Sequence, residues 1–175
     1  VPTRLSFRVQ RQLDEARSQL LLGLQHHPIS SFAKLHDHPL SRHTDAIAEA
    51  LASASKTWQE LKERTDIPLE ERALLETYGQ AIDDYIERGV APALKALQAG
   101  DYDTANRDLL FKINPKNQVL VAAGTALREY YMHSGESLYK DSLAHQNIRA
   151  NEMLAFGLSA AVLASLLGFW ITRSI

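Results

Sequence analysis

Apolar residues recur every three or four positions along most of the chain, the period of a helix that buries one face. Leu5, Val9, Leu13, Ala16, Leu20 and Leu24 form the first such stripe, which stops at Pro28 and predicts helix one over about 3–26. Ile47, Leu51, Ala54, Trp58 and Leu61 form the second, opened by a capping region at Ser41/Thr44 and closed before Pro68, for helix two over about 40–64. The third carries Leu75, Tyr78, Ile82, Tyr85, Val90, Leu94 and Leu97 and ends at Gly100 in a C-cap position. Pro92 is expected to kink it, because an internal proline removes a hydrogen bond and crowds the preceding turn. After Gly100 the segment DYDTANRDLLFKI is compatible with a short helix, and Asn114-Pro115 restarts a long one from about 115. Its stripe is Leu120, Ala123, Leu127, Tyr130, Tyr131, Ser134 and Leu138. Tyr78, Tyr85, Tyr130, Tyr131 and Trp58 fall on these stripes and read as core packing residues.

The pattern changes after Glu152. From Met153 to Thr172 the chain reads MLAFGLSAAVLASLLGFWIT, free of formal charge, and at the helical rise it matches a hydrocarbon core of about 30 Å. It is read as a membrane-spanning helix. Trp170 and Arg173 fit an aromatic belt and a positive cytoplasmic flank, which puts residues before Glu152 on the periplasmic or extracellular side. Gly157, Ala161, Ala164 and Gly168 offer small side chains for a close helix–helix approach, or reflect the ordinary composition of such helices. With neither a signal sequence nor a first span ahead of it, Val1-Pro2 reads as a start inside a longer protein. The organisation expected is a four-helix domain over 1–152, a transmembrane helix over 153–172 and the start of a cytoplasmic linker at 173–175.

Four amphipathic helices with short connections pack most simply as an all-α, antiparallel up-down-up-down four-helix bundle, here with helix four continuing into the transmembrane helix. The loops 27–40 and 100–115 then lie at the membrane-distal tip and the loop 65–68 near the lipid.

Composition narrows the function. The chain has 175 residues, 19 basic against 21 acidic, so nothing favours a nucleic-acid partner. There is no cysteine, which removes disulfides, thiolate metal sites and a cysteine nucleophile. A phosphate-binding glycine loop, a G-x-S-x-G elbow and a His-Glu-x-x-His pair are all missing, and no enzymatic activity is expected. A cofactor-bearing bundle of the di-iron kind is disfavoured, because no Glu-x-x-His pair occurs.

HSGESLYKD (His133 to Asp141), YGQAIDDYIERGVAPALKALQAGDY (Tyr78 to Tyr102), Asn114-Pro115 and the closing Arg173-Ser174-Ile175, taken in order, resemble the sensor half of the Tar-like methyl-accepting chemotaxis proteins. Arg-Ser-Ile is similar to the start of the HAMP linker of those receptors. The resemblance implies a homodimer in the bacterial inner membrane with a periplasmic sensor domain. It also implies a small-molecule ligand bound near the tip, and a cytoplasmic kinase and adaptor reached through further sequence. Signalling would run through a small displacement of helix four and its span. The same bundle attached to a sensor kinase or a cyclase is the alternative. The two tip connections depart from the aspartate and serine receptors.

In the aspartate-sensing members, arginines of helix one hold the ligand carboxylates, which makes Arg11 and Arg17 the counterparts to consider. Arg4, Arg8 and Arg11 share a polar face with Glu15, and Arg11 to Glu15 is a favourable i,i+4 contact, so a solvated face is the competing reading. Arg17 sits at the edge of the apolar stripe, where its charge must snorkel, pair with an acid or meet an anion. Asn114, Lys116, Asn117 and Gln118 lie where the first-turn amides of a fourth helix would attract an anion, with Asn114 as the alternative N-cap. A small anionic ligand is therefore expected at these residues. Separately, His26, His27, His36, His38 and His43 crowd the first tip connection. His36, His38 and His43, with Asp37 or Asp45, offer ligands for zinc, nickel or copper; a solvated loop and a proton sensor are the other readings. Apart from that divalent metal, no cofactor is expected.

Overall fold

The computed structural model describes the backbone of residues 2–173; the side chains of 138, 141, 144, 145, 147, 148, 150–152, 155 and 160–173 lie outside the described residues. The chain divides into two units, one ending at Met132 and one beginning at His133. In order the elements are α1 (Pro2–Leu24), a 3-10 turn (Ala33–Leu35), α2 (Ser41–Lys62), α3 (Leu69–Tyr85), a π turn (Ile86–Val90), α4 (Ala91–Gln98), α5 (Tyr102–Asp108), a second π turn (Leu109–Ile113) and α6 (Asn114–Arg173). Two of the four bundle helices are thus composite. Leu69 to Gln98 makes the third, and the fourth starts at Tyr102.

The first unit is the expected antiparallel bundle, and its cross-contacts run in opposite directions at every seam. His43 meets Gln19 near one end of α1 and α2, while Arg11 and Gln12 face Ala50 and Ser53 further along. On the next pair of seams Arg64 reaches Glu71 and Trp58 packs edge-on to Tyr78, Gly79 lying under the indole. Gly89 faces Ile113, Gly124 faces Tyr78 and Glu71 meets Tyr131, so the third and fourth helices are antiparallel too. Arg17 to Asn114 and Phe7 to Arg128 close the circle.

The core consists of the predicted stripes. Val9, Leu13, Ala16 and Leu20 of α1, Ile47, Ala54 and Leu61 of α2, and Tyr78, Ile82 and Tyr85 of α3 are buried, with Leu120 and Leu127 of α6 opposite them. Each large apolar side chain so placed contributes about 1.5–3 kcal/mol relative to exposure.

Several expectations are corrected. Ser41 and Thr44 do not cap α2 through a side chain; its N-cap is Leu40, and the Thr44 hydroxyl donates back to the Ser41 carbonyl. Pro92 follows a π turn, in which the Ala91 N–H reaches the Ile86 carbonyl, five residues back. That wider turn relieves the crowding that a proline ring imposes on a regular helix. The same device precedes Pro115, where the Asn114 N–H reaches the Leu109 carbonyl. Helix four therefore does not restart at Asn114-Pro115. It begins directly after a three-residue reversal, in which Gly100 takes φ +76° and the N–H of Asp101 returns to the Ala96 carbonyl while that of Gly100 returns to Leu97. This is a Schellman ending, and a left-handed residue there is what favours glycine. Asp101 at once caps the next helix by accepting from the Thr104 N–H at 3.0 Å. The 100–115 loop does not exist.

In the second unit α6 is helical, with a Lys140–Glu136 ion pair one turn apart and exposed Met153, Leu154, Phe156 and Leu158. Among the described residues no helix is long and apolar enough to cross a membrane; most side chains of the predicted span 153–172 lie outside the described residues.

Candidate functional site

The end of the bundle where α1 gives way to α2 gathers four imidazoles. His26 stands in the turn just after α1, His36 just after the 3-10 turn, His38 in a bend before α2, and His43 in the first turn of α2. One ring nitrogen from each lies within 4.8 Å of the others. The rings are tilted or edge-on at centroid separations from 4.0 Å for His26–His36 to 5.8 Å for His36–His43. His43 is buried at 5% exposure, and the other three are half-buried.

Two of the imidazoles are oriented from behind. His43 Nδ1 lies 2.7 Å from Gln19 Oε1, and Gln19 Nε2 in turn lies 2.8 Å from Glu15 Oε1. The carboxylate of Glu15 only accepts, so the Gln19 amide must donate to it and present its carbonyl to His43. His43 Nδ1 then carries the proton and Nε2 the lone pair. On the other side His38 Nδ1 lies 3.0 Å from the Asp37 carboxylate, which again requires N–H at Nδ1. His38 Nε2 and His43 Nε2 face each other at 2.9 Å. Burial, and then the neighbouring imidazoles and Arg42, hold the His43 pKa down to about 4. Burial and His36 and His38 lower that of His26.

Of the residues expected as metal ligands, His36, His38 and His43 are thus brought together. His26 joins them, although spacing alone did not single it out from the histidine run. What would have found it is the end of α1 at Leu24, which turns His26 back over the start of α2. Gln19 was likewise missed, since a glutamine on a helix face carries no signal until its partner is known. Asp37 acts behind His38, Asp45 is exposed and outside the cluster, and His27 accepts from the Ile29 N–H and packs edge-on to Tyr102.

The residues expected to hold an anion are dispersed or already engaged. Arg17 donates to Asn114 Oδ1 at 2.9 Å. Lys116 pairs with Asp84, and Gln118 is exposed. The amides of 116–118 belong to the interior of a continuous helix rather than to its first turn, so they offer no free donors and no positive helix end. Asn114 is no N-cap for the same reason. Arg11 is exposed beside a cleft of about 480 Å³ that Glu15 and Glu49 also line, which offsets its charge. Asn117 contributes a buried side-chain carbonyl without a protein partner.

A family model described as Tar ligand binding domain homologue matches residues 5–135. No curated protein and no solved structure matches the chain.

Proposed function

The chain belongs to the family of Tar ligand binding domain homologues, chemoreceptor sensor domains, and from that membership we propose that it is the periplasmic ligand-sensing part of a transmembrane chemotaxis receptor whose ligand is taken at the histidine-bearing end of the bundle. The observation that carries this location is the convergence of four imidazoles from three separate stretches of chain on one point. Surface histidines in a solvated loop have no reason to share a centre, and like groups that repel when protonated are brought together at a cost unless something binds between them.

The remaining assignments extend the same reading. Residues 1–152 form the sensor domain of a homodimer, 153–172 its inner-membrane span and 173–175 the start of the cytoplasmic linker, with a kinase and adaptor downstream. The signal is a small displacement of α6. A ligand shifts such an equilibrium only by as much as it prefers one state, so the bound site must fit one position of the tip better than the other. No catalysis is involved.

The test is a thermal-shift screen of the full chain against small carboxylates, amino acids and metal ions, followed by replacement of the tip residues. A compound that raises the melting temperature of the wild type and loses that effect in His38→Ala supports the reading. Stabilisation by a ligand that is untouched by every tip replacement places the site elsewhere.

A further inference from the structure

The four imidazoles form a site for one late first-row divalent cation, Zn2+, Ni2+, Co2+ or Cu2+; this we propose as the stimulus, resting on the reading of the tip as the sensing end. Three observations carry it. The donor set is nitrogen only, which suits these borderline metals and not Mg2+ or Ca2+, whose preferred ligands are oxygens.

Second, the hydrogen bonds behind the rings leave a charge requirement in front of them. With Glu15 and Gln19 behind His43 and Asp37 behind His38, both Nδ1 atoms are protonated, and two Nε2 lone pairs confront each other at 2.9 Å. Two neutral imidazoles so oriented repel. A cation between them, or a proton on one of them, is needed to hold the pair. A carboxylate or carbonyl behind a ligating histidine is also the arrangement that fixes its tautomer and raises its basicity toward a metal.

Third, the dimensions fit. Nitrogen–metal distances of about 2.0–2.1 Å imply nitrogen–nitrogen separations of about 3.3 Å in a tetrahedron. The four donors already lie within 4.8 Å of one another, and His38–His43, at 2.9 Å, need open by only about 0.4 Å. The remainder falls to His26 and His36, which are half-buried and stand on non-helical chain outside α1 and α2. Metal binding would therefore lock the connection between the two helices to the start of α2.

The experiment titrates Co2+ and then Zn2+ into the full chain after treatment with EDTA, following the visible absorption of tetrahedral cobalt and its loss on displacement by zinc. One equivalent per chain is expected, unaffected by a large excess of Mg2+. His36→Ala and His38→Ala are each expected to weaken binding at least about 100-fold, and Gln19→Leu about 10–100-fold, as losses behind a ligand do. His27→Ala leaves it unchanged. Circular dichroism shows that each variant keeps its helix content, which separates lost ligation from lost folding. No saturable binding, as for a cluster that holds protons alone, overturns the proposal, and so does an affinity unchanged in His36→Ala and His38→Ala. Because the readout is binding alone, such a failure removes the metal and leaves the sensor reading to the ligand screen.

Discussion

Arg17 donates from Nη2 to Asn114 Oδ1 at 2.9 Å, tying the inner edge of α1 to the residue that closes the π turn of the fourth helix. The contact engages one nitrogen of the guanidinium, while Nε is buried without a protein partner. Arg17→Ala should lower stability by about 1–3 kcal/mol, since it leaves Asn114 with a half-buried acceptor to satisfy. Zinc affinity should be unchanged. Urea denaturation with and without Zn2+ checks both; a loss of metal affinity comparable to that of His38→Ala would show that the α1–α6 seam and the tip are one unit.

Two glycines make opposite predictions. A Cβ at Gly79 would stand 2.6 Å from Cζ2 of Trp58, a buried ring that would have to shift, so Gly79→Ala should destabilise by about 1–3 kcal/mol. At Gly89 the nearest atom is Ile113 Cγ1 at 3.5 Å, an ordinary contact, and no left-handed backbone is needed. Gly89→Ala should therefore gain up to about 1 kcal/mol from reduced backbone entropy in the unfolded chain. Paired thermal melts decide the sign of each.

The stripes of α1, α2 and α3 were legible because burial of one helical face enforces their period; Leu13, Leu20, Ile47, Leu61 and Ile82 are in the core where the period put them. Helix four was misread at its start. Asn114-Pro115 looks like an initiation signal, but the helix runs through the proline on a π turn that accommodates the ring, with Ile113 facing Gly89. The histidine run was visible, but its meeting point was not, because a loop's course depends on contacts between residues distant in sequence such as Gln19 and His43. Glu71 illustrates the same limit: it is almost wholly buried, yet its neighbours in sequence give no hint of Arg64 and Tyr131.

Those three residues form a polar cluster in the core at the end opposite the histidines. Tyr131 donates to Glu71 Oε1 at 2.8 Å, and Arg64 donates to the same oxygen. Burial, and then the Glu71 carboxylate, raise the Tyr131 pKa, so the phenol stays a donor throughout the ordinary pH range. Tyr131→Phe should cost about 1.5–3 kcal/mol, the worth of a hydrogen bond to a charged group. Glu71→Ala should cost more than Tyr131→Phe, because it leaves Arg64 and Tyr131 both without the acceptor. A double-mutant cycle by urea denaturation measures the coupling, and additivity of the two losses would refute it.

The metal-free tip should also make the fold acid-sensitive above the range where carboxylates titrate. His43 has a pKa of about 4 in the folded chain against an ordinary 6.5, so folding favours its neutral form. Its stabilising contribution is complete above pH 6.5 and is lost as pH falls from there to about 4, at a slope approaching 1.4 kcal/mol per pH unit and on the order of 3 kcal/mol in all. His26, whose pKa is also lowered, adds in the same direction. The groups facing His43 are the imidazoles of His26, His36 and His38, the Arg42 guanidinium and the Gln19 carbonyl, with the Asp37 carboxylate behind His38 partly offsetting the positive charge. Urea denaturation of EDTA-treated protein between pH 7.5 and 4.5 should therefore show a steeper loss than His43→Gln under the same conditions, the carboxylates common to both cancelling in the difference. Parallel curves would mean that His43 accepts a proton without cost to the fold, and that the 2.9 Å pair with His38 is already bridged by one.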